Sequence, residues 1–160
     1  MAEAVDKSLS KLAQSDIAAM VVYLRSVPAI STPDLGASRA TPAPSDQRQN
    51  VAANVDPLGK AVFEGTCAGC HGWTGVSNLN PFATLTGARA VNDPTAINVA
   101  QVIISGADRQ TPSGRIFMPA FGGAYSDIEI AAVANYVTAR FGSQHSAITP
   151  DDVARLRGPP

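Results

Sequence analysis

No apolar run in the 160-residue chain approaches the ~20 residues needed to cross a bilayer, so no membrane-spanning helix is expected. The opening "MAEAVDKSLSKLAQSD" lacks the basic start and apolar stretch of a secretion leader. A basic stripe is missing too. Twelve Lys and Arg stand against thirteen Asp and Glu, the formal charge is −1, and the only lysines are Lys7, Lys11 and Lys60. Nucleic-acid binding, which draws on clustered positive charge, is therefore not expected. Aromatic residues amount to 6%, a thin supply for a core, which leaves room for something other than side chains to fill it. Cysteine occurs only at Cys67 and Cys70. No alternating β pattern of useful length appears. Against these absences stand 45% hydrophobic and 16% charged residues, a balance that supports a packed core. The expected class is all-α with long loops.

The chain divides into zones. In residues 1–30, Ile17, Met20, Val21 and Leu24 fall at helical spacing and make one apolar face. Ser15 or Asp16 can cap this helix, and Pro28 ends it. Residues 31–54 lie in a stretch rich in Pro, Ser, Thr and Ala without hydrophobic period, and read as a linker. Residues 55–160 form the compact zone. A helix is expected to begin at Asp56 with Pro57 in its first position. Residues 71–94 read as loop, 94–105 as a helix stopped at Gly106, and 107–125 as a second loop. The clearest helix follows: Ser126 and Glu129 form a capping box, Ile130, Val133, Val137 and Phe141 make the stripe, and Gly142 closes it. A last short helix has Thr149 as cap and Pro150 at its first position. The segment "DIAAMVVYL" at 16–24 repeats as "EIAAVANYV" at 129–137. Residues 1–30 are therefore expected to be the closing helix of an earlier copy of the same domain, joined by the linker.

The chemistry concentrates in "AVFEGTCAGCHG", residues 61–72. A structural zinc needs four ligands. Beyond Cys67, Cys70 and His71 the chain offers only His145 and no second paired motif. A thioredoxin-like dithiol calls for a preceding strand, whereas here a helix precedes. Covalent haem attachment fits: Cys67 and Cys70 bond the two vinyl groups as thioethers, and His71 becomes the proximal iron ligand, since C-x-x-C-H is the attachment signature of c-type haem. Of the three methionines, Met1 and Met20 belong to the N-terminal zone. Met118 lies in "RIFMPAFGG", on a loop closed by Pro119 and glycines. A methionine can pack as plain core; beside a haem motif Met118 is expected to be the distal ligand. His/Met ligation fills both axial positions and raises the potential, which favours electron transfer over oxygen chemistry.

Residues 55–142 resemble a class I cytochrome c domain: Gly59 and Phe63 before "CAGCH", a middle helix, a Met-Pro loop, and a closing helix carrying Tyr136. The resemblance implies that the first and last helices cross closely, that Gly59 permits the approach, and that Phe63 and Tyr136 pack at the crossing. The ending "NYVTARFGSQHSAITPDDVARLR" resembles the last domain of the multihaem cytochrome subunits of membrane-associated bacterial alcohol, aldehyde and sugar dehydrogenases. The start resembles the tail of the preceding haem domain in those subunits, with Met1 falling on its axial methionine. The family usually has an aromatic-Pro-x-Leu-x-Gly stretch whose proline carbonyl accepts from the proximal histidine. Here it reads "FATLTG", with Ala83 at the proline position and Pro81 two residues early. Either carbonyl could serve.

The expected function is electron relay by one haem c, from a dehydrogenase subunit or a neighbouring haem of the same parent chain toward quinone or an oxidase. The location is periplasmic, with an export signal upstream, and the parent can associate peripherally with the membrane. The chain itself is not expected to be an enzyme. The alternative is a haem enzyme or a gas or redox sensor with a labile Met118. The N-terminal helix and linker can also dock another subunit. Phe63, Leu85 and Phe117 are candidates for packing on haem, and Trp73 for packing at its edge. One of Arg89, Arg109 and Arg115 is a candidate partner for a propionate. His145 is expected at the surface.

Overall fold

The structure, a computed structural model, describes residues 5, 8–28, 56–111 and 114–158. The expected linker at 31–54 lies outside the described residues. The chain forms two compact units, one of Met1–Ala37 with Asp108–Phe117, the other of Ser38–Ala107 with Met118–Pro160.

In the first unit, helix α1 spans Gln14–Ser26 and ends before Pro28 as expected. Its N-cap is Ala13, with no side-chain cap; Ser15 and Asp16 sit inside the first turn instead. None of its residues is buried. Of the expected apolar face, Met20, Val21 and Leu24 are exposed and Ile17 is partly exposed.

The segment 107–118 corrects the sequence reading. It forms strands β1 (Ala107–Thr111) and β2 (Gly114–Met118), paired in a two-stranded sheet, where loop was expected. Strand patterns become legible when one face is buried. Here most of the described side chains are exposed, so no hydrophobic alternation was imposed on the sequence. An ion pair joins the strands: Arg115 donates through Nε and Nη2 to the two carboxylate oxygens of Asp108, at 2.7 and 2.5 Å. That bidentate contact holds the Asp108 carboxyl below its usual range.

The second unit is helical. Helix α2 (Pro57–Val62) starts as expected, with the Asp56 carboxylate accepting from the Leu58 N–H at 2.8 Å. It runs into a π-helical turn, Phe63–Cys67, and a short helix α3, Ala68–His71. Helix α4 is Ile97–Ser105, beginning after Pro94 rather than at it. The Asp93 side chain makes the difference. It accepts from the Thr95 N–H at 3.0 Å and from Asn98 Nδ2 at 2.8 Å, folding 93–96 into a turn that puts Ala96 at φ 54°. Helix α5 (Asp127–Phe141) carries both bonds of the Ser126–Glu129 capping box. Its expected stripe of Ile130, Val133, Val137 and Phe141 is buried throughout. Helix α6 (Pro150–Arg157) is likewise boxed, by Thr149 and Asp152.

Helices α2 and α5 cross at Gly59. A Cβ there would stand 2.2 Å from the Ala132 carbonyl oxygen and 3.0 Å from Tyr136 Cβ, so glycine is what lets the backbones approach. Phe63, 1% exposed, packs beside the crossing, its ring centroid 5.5 Å from Tyr136 and 5.1 Å from Phe141. Both roles match what the family resemblance implied.

Candidate haem-attachment site

The site grows out of the α2–α5 crossing. With Phe63 anchored in the core, the chain continues through the π turn, marked by the Ala68 N–H reaching back to the Phe63 carbonyl. A π turn adds a residue to the helical register, so Cys67, Cys70 and His71 are rotated relative to where an unbroken α2 would carry them. Gly72 stops α3 at φ 73°, and a Cβ there would meet the Val76 carbonyl oxygen at 2.3 Å. The following loop folds back on the motif, with the Ser77 hydroxyl donating to the Cys70 carbonyl at 2.7 Å.

His71 is oriented by one bond: Nδ1 lies 2.6 Å from the Ala83 carbonyl oxygen. A carbonyl can only accept, so Nδ1 carries the hydrogen, and the neutral ring keeps its lone pair on Nε2. That is the tautomer a metal-ligating histidine needs. Of the two carbonyls open at the sequence level, Ala83 serves. Asn80 caps a 3-10 turn over Pro81–Ala83, and the Pro81 carbonyl accepts from the Thr84 N–H at 3.1 Å within that turn.

No disulfide joins Cys67 and Cys70. Burial, with a smaller contribution from Cys70, pushes the Cys67 thiol up to about 11. A dithiol poised for disulfide exchange has a lowered pKa, so the environment of Cys67 is opposite to that of a redox dithiol. Among the described residues no group of three or more His, Cys, Asp or Glu is assembled around a common point, which leaves a zinc site without its ligands.

Met118 ends β2 and is half-buried against the core of the second unit. The end of α4 positions its loop. Gly106 takes φ 69°, and a Cβ there would stand 2.6 Å from the Met118 carbonyl oxygen and 2.7 Å from the Ala120 nitrogen. The Phe121 and Gly122 N–H groups donate to the carbonyls of Ile103 and Ile104 at 2.9 and 3.1 Å. Leu85 is half-buried on the same core, tied by its N–H to the Gly75 carbonyl at 2.8 Å. Phe117 is 63% exposed, with the Arg115 guanidinium 5.3 Å from its ring centre. Trp73, Arg89 and His145 are exposed. Sequence reasoning missed Thr66 and Tyr125, whose hydroxyls share a hydrogen bond between the π turn and the Met118 loop. Nothing in the local pattern signals a contact between residues so far apart in the chain.

Comparison with known proteins agrees with this constellation. Residues 55–137 match the family model described as cytochrome c oxidase, cbb3-type, subunit III. The chain is 31% identical to a fructose dehydrogenase cytochrome subunit of Gluconobacter japonicus, over 98% of this chain and 36% of that one. It is 31% identical to a gluconate 2-dehydrogenase cytochrome c subunit of Pantoea cypripedii, again over 98% of this chain and 36% of the relative. A cytochrome c6 of Chlorolobion braunii is 39% identical over 50% of this chain and 84% of its own length. The chain thus spans about a third of the length of the two dehydrogenase subunits. With the C-x-x-C-H segment, the oriented histidine and the family match in agreement, the chain belongs to the cytochrome c family, whose members hold haem c covalently.

Proposed function

We propose that the chain transfers electrons through a single haem c bonded at Cys67 and Cys70, with His71 and Met118 as its axial ligands. Once bound, the haem supplies one-electron redox chemistry at iron. The residues of this chain attach it, orient it and exclude solvent from it. The observation that carries the reading is the His71 Nδ1–H bond to the Ala83 carbonyl, which leaves Nε2 available to iron. A half-buried Met118 on a loop pinned at Gly106, Phe121 and Gly122 supports a second axial ligand. Leu85 on the same core supports a packing role against the ring.

The relatives named as dehydrogenase cytochrome subunits support a dehydrogenase subunit or a neighbouring haem as donor. Electrons then pass toward quinone or an oxidase, on the periplasmic face of the membrane. The parent protein associates peripherally with the membrane in this reading; no helix among the described residues is long and apolar enough to cross it. Residues 1–30 are the closing helix of a preceding haem domain. In support, α1 repeats the Ile-Ala-Ala pattern of α5, yet Tyr23 is 69% exposed where its counterpart Tyr136 is 6% exposed.

The test combines intact mass under denaturing conditions with a pyridine haemochrome spectrum and visible spectroscopy. One covalent haem is expected, and a weak long-wavelength band of Met–iron ligation in the ferric protein. Met118→Ala should abolish that band and lower the potential. Rapid binding of carbon monoxide to the ferrous wild-type protein would replace this reading with a haem enzyme or sensor having a labile Met118.

A further inference from the structure

Every polar nitrogen of one C-terminal side chain is spent on the Met118 loop or on the first residue of α5. After α5 the chain turns back along the core because Asn135 holds it. Asn135 Nδ2 donates to the Ile148 carbonyl at 2.9 Å, and Asn135 Oδ1 accepts from the Ser146 hydroxyl at 2.8 Å and the Ile148 N–H at 3.0 Å. The Thr149 capping box then starts α6. Val153, fully buried, and Leu156, partly buried, seat the helix on the core, which fixes its rotation. Arg157, the last residue of α6, is thereby delivered over the loop between Met118 and α5.

Its side chain is 28% exposed. Nε donates to Asp127 Oδ1, Nη1 to the Gly122 carbonyl, and Nη2 to the Tyr125 carbonyl at 2.8 Å. A planar guanidinium can serve these three directions at once, which a lysine ammonium on a flexible stem does not reproduce. On the other side of the loop, the carbonyls of Ile103 and Ile104 take the Phe121 and Gly122 N–H groups. The Tyr125 hydroxyl bonds Thr66, inside the π turn that carries Cys67. The loop is thus tied to α4, to the haem-attachment segment and, through the Arg157 guanidinium, to α6.

We infer that Arg157 is a positioning residue for the distal ligand: the C-terminal helix acts as a strap that keeps the Met118 loop closed. The inference rests on Met118 being an iron ligand. A thioether is neutral and only weakly basic, so its hold on iron depends on how rarely its loop swings away. Opening that loop between Met118 and Asp127 requires the guanidinium bonds to break.

The test uses the full-length protein with haem attached. Arg157→Met keeps the aliphatic stem and removes the donors. Cyanide, added to the ferric protein, enters only when Met118 leaves. Its association rate is expected to rise on the order of tenfold, the factor given by about 1.4 kcal/mol of lost closure. The long-wavelength Met–iron band should also fade at a lower temperature. Arg157→Lys should recover part of both effects. Arg155→Met removes the same charge from the same helix, but among the described residues Arg155 pairs with Asp152 in its own helix, so it should leave rate and band unchanged. Should Arg157→Met not accumulate with haem, Tyr125→Phe tests the same loop by deleting the Thr66 bond while keeping the Tyr125 carbonyl, with a smaller rise expected. Wild-type cyanide rate and band in both Arg157→Met and Tyr125→Phe, even with lowered thermal stability, would overturn the strap while leaving Met118 ligation intact. Absence of the band from the wild-type protein would overturn Met118 ligation itself, and the strap with it.

Discussion

The crossing of α2 and α5 makes a sharp quantitative demand at Gly59. Alanine fits the helical backbone there, since Gly59 does not need a left-handed conformation. Helix propensity alone therefore favours Gly59→Ala by about 1 kcal/mol. The tertiary contact opposes it. The new Cβ would lie 2.2 Å from the Ala132 carbonyl oxygen and 2.7 Å from its carbon, and contacts under 3.0 Å are essentially never tolerated. The obstacle is backbone, so no side chain can rotate away and the helices must part. Parting them loosens the Phe63 ring from Tyr136, now at 5.5 Å between centroids. Overpacking costs about 1–3 kcal/mol, and a weakened aromatic pair adds about 0.5–1.5 kcal/mol. Set against the propensity gain, the net is a destabilisation of about 2 kcal/mol, or a fall in Tm of about 10 °C for a domain of this size. Thermal and denaturant unfolding of the haem-bearing protein measures it. Gly65→Ala is the control, because a Cβ there meets nothing within 4 Å; it should be neutral or slightly stabilising. If Gly59→Ala proves as stable as the wild type or more so, the close crossing is refuted, since propensity alone would then account for the result.

Two further outcomes follow from the same geometry. Gly106→Ala should destabilise by about 2–3 kcal/mol, combining a left-handed backbone with a contact against the Met118 carbonyl; denaturant unfolding reads the loss, and the Met–iron band should weaken with it. Acid should fray α5 and α6 from their N-termini. Hydrogen bonds from the Ser126 hydroxyl and N–H hold Glu129 below its ordinary value of 4.5, and those from Thr149 do the same for Asp152. A depressed carboxyl pKa stabilises above the unfolded value and stops doing so as pH falls through the folded one. Amide exchange in the first turn of α5 should therefore accelerate below about pH 4.5 and that in the first turn of α6 below about pH 3.8, and Glu129→Gln should remove the pH dependence in α5.

Much of the candidate haem site was legible because its signals are local. Thioether attachment needs two cysteines at a set spacing and a histidine beside them, and a capping box needs a hydroxyl and a carboxylate three residues apart. Such patterns survive in one dimension. The start of α4 was misplaced because Asp93 spends its carboxylate on a turn, through Thr95 and Asn98. The β1–β2 pair was missed because strands of five residues with mostly exposed side chains impose no alternation.

The sequence by itself determined the C-x-x-C-H spacing at Cys67, Cys70 and His71 that points to haem c, the mostly helical class, and the ends of α5 and α6. Each is set by residues that touch their near neighbours in the chain. Only the tertiary structure decided that Ala83 rather than Pro81 accepts the hydrogen bond from His71 Nδ1–H, that a π turn sits under Cys67, and that Arg157 bonds the carbonyls of the Met118 loop. Those outcomes depend on which backbone carbonyls and which distant helix ends the packing brings together. That is a property of the packed chain and has no counterpart in residue spacing.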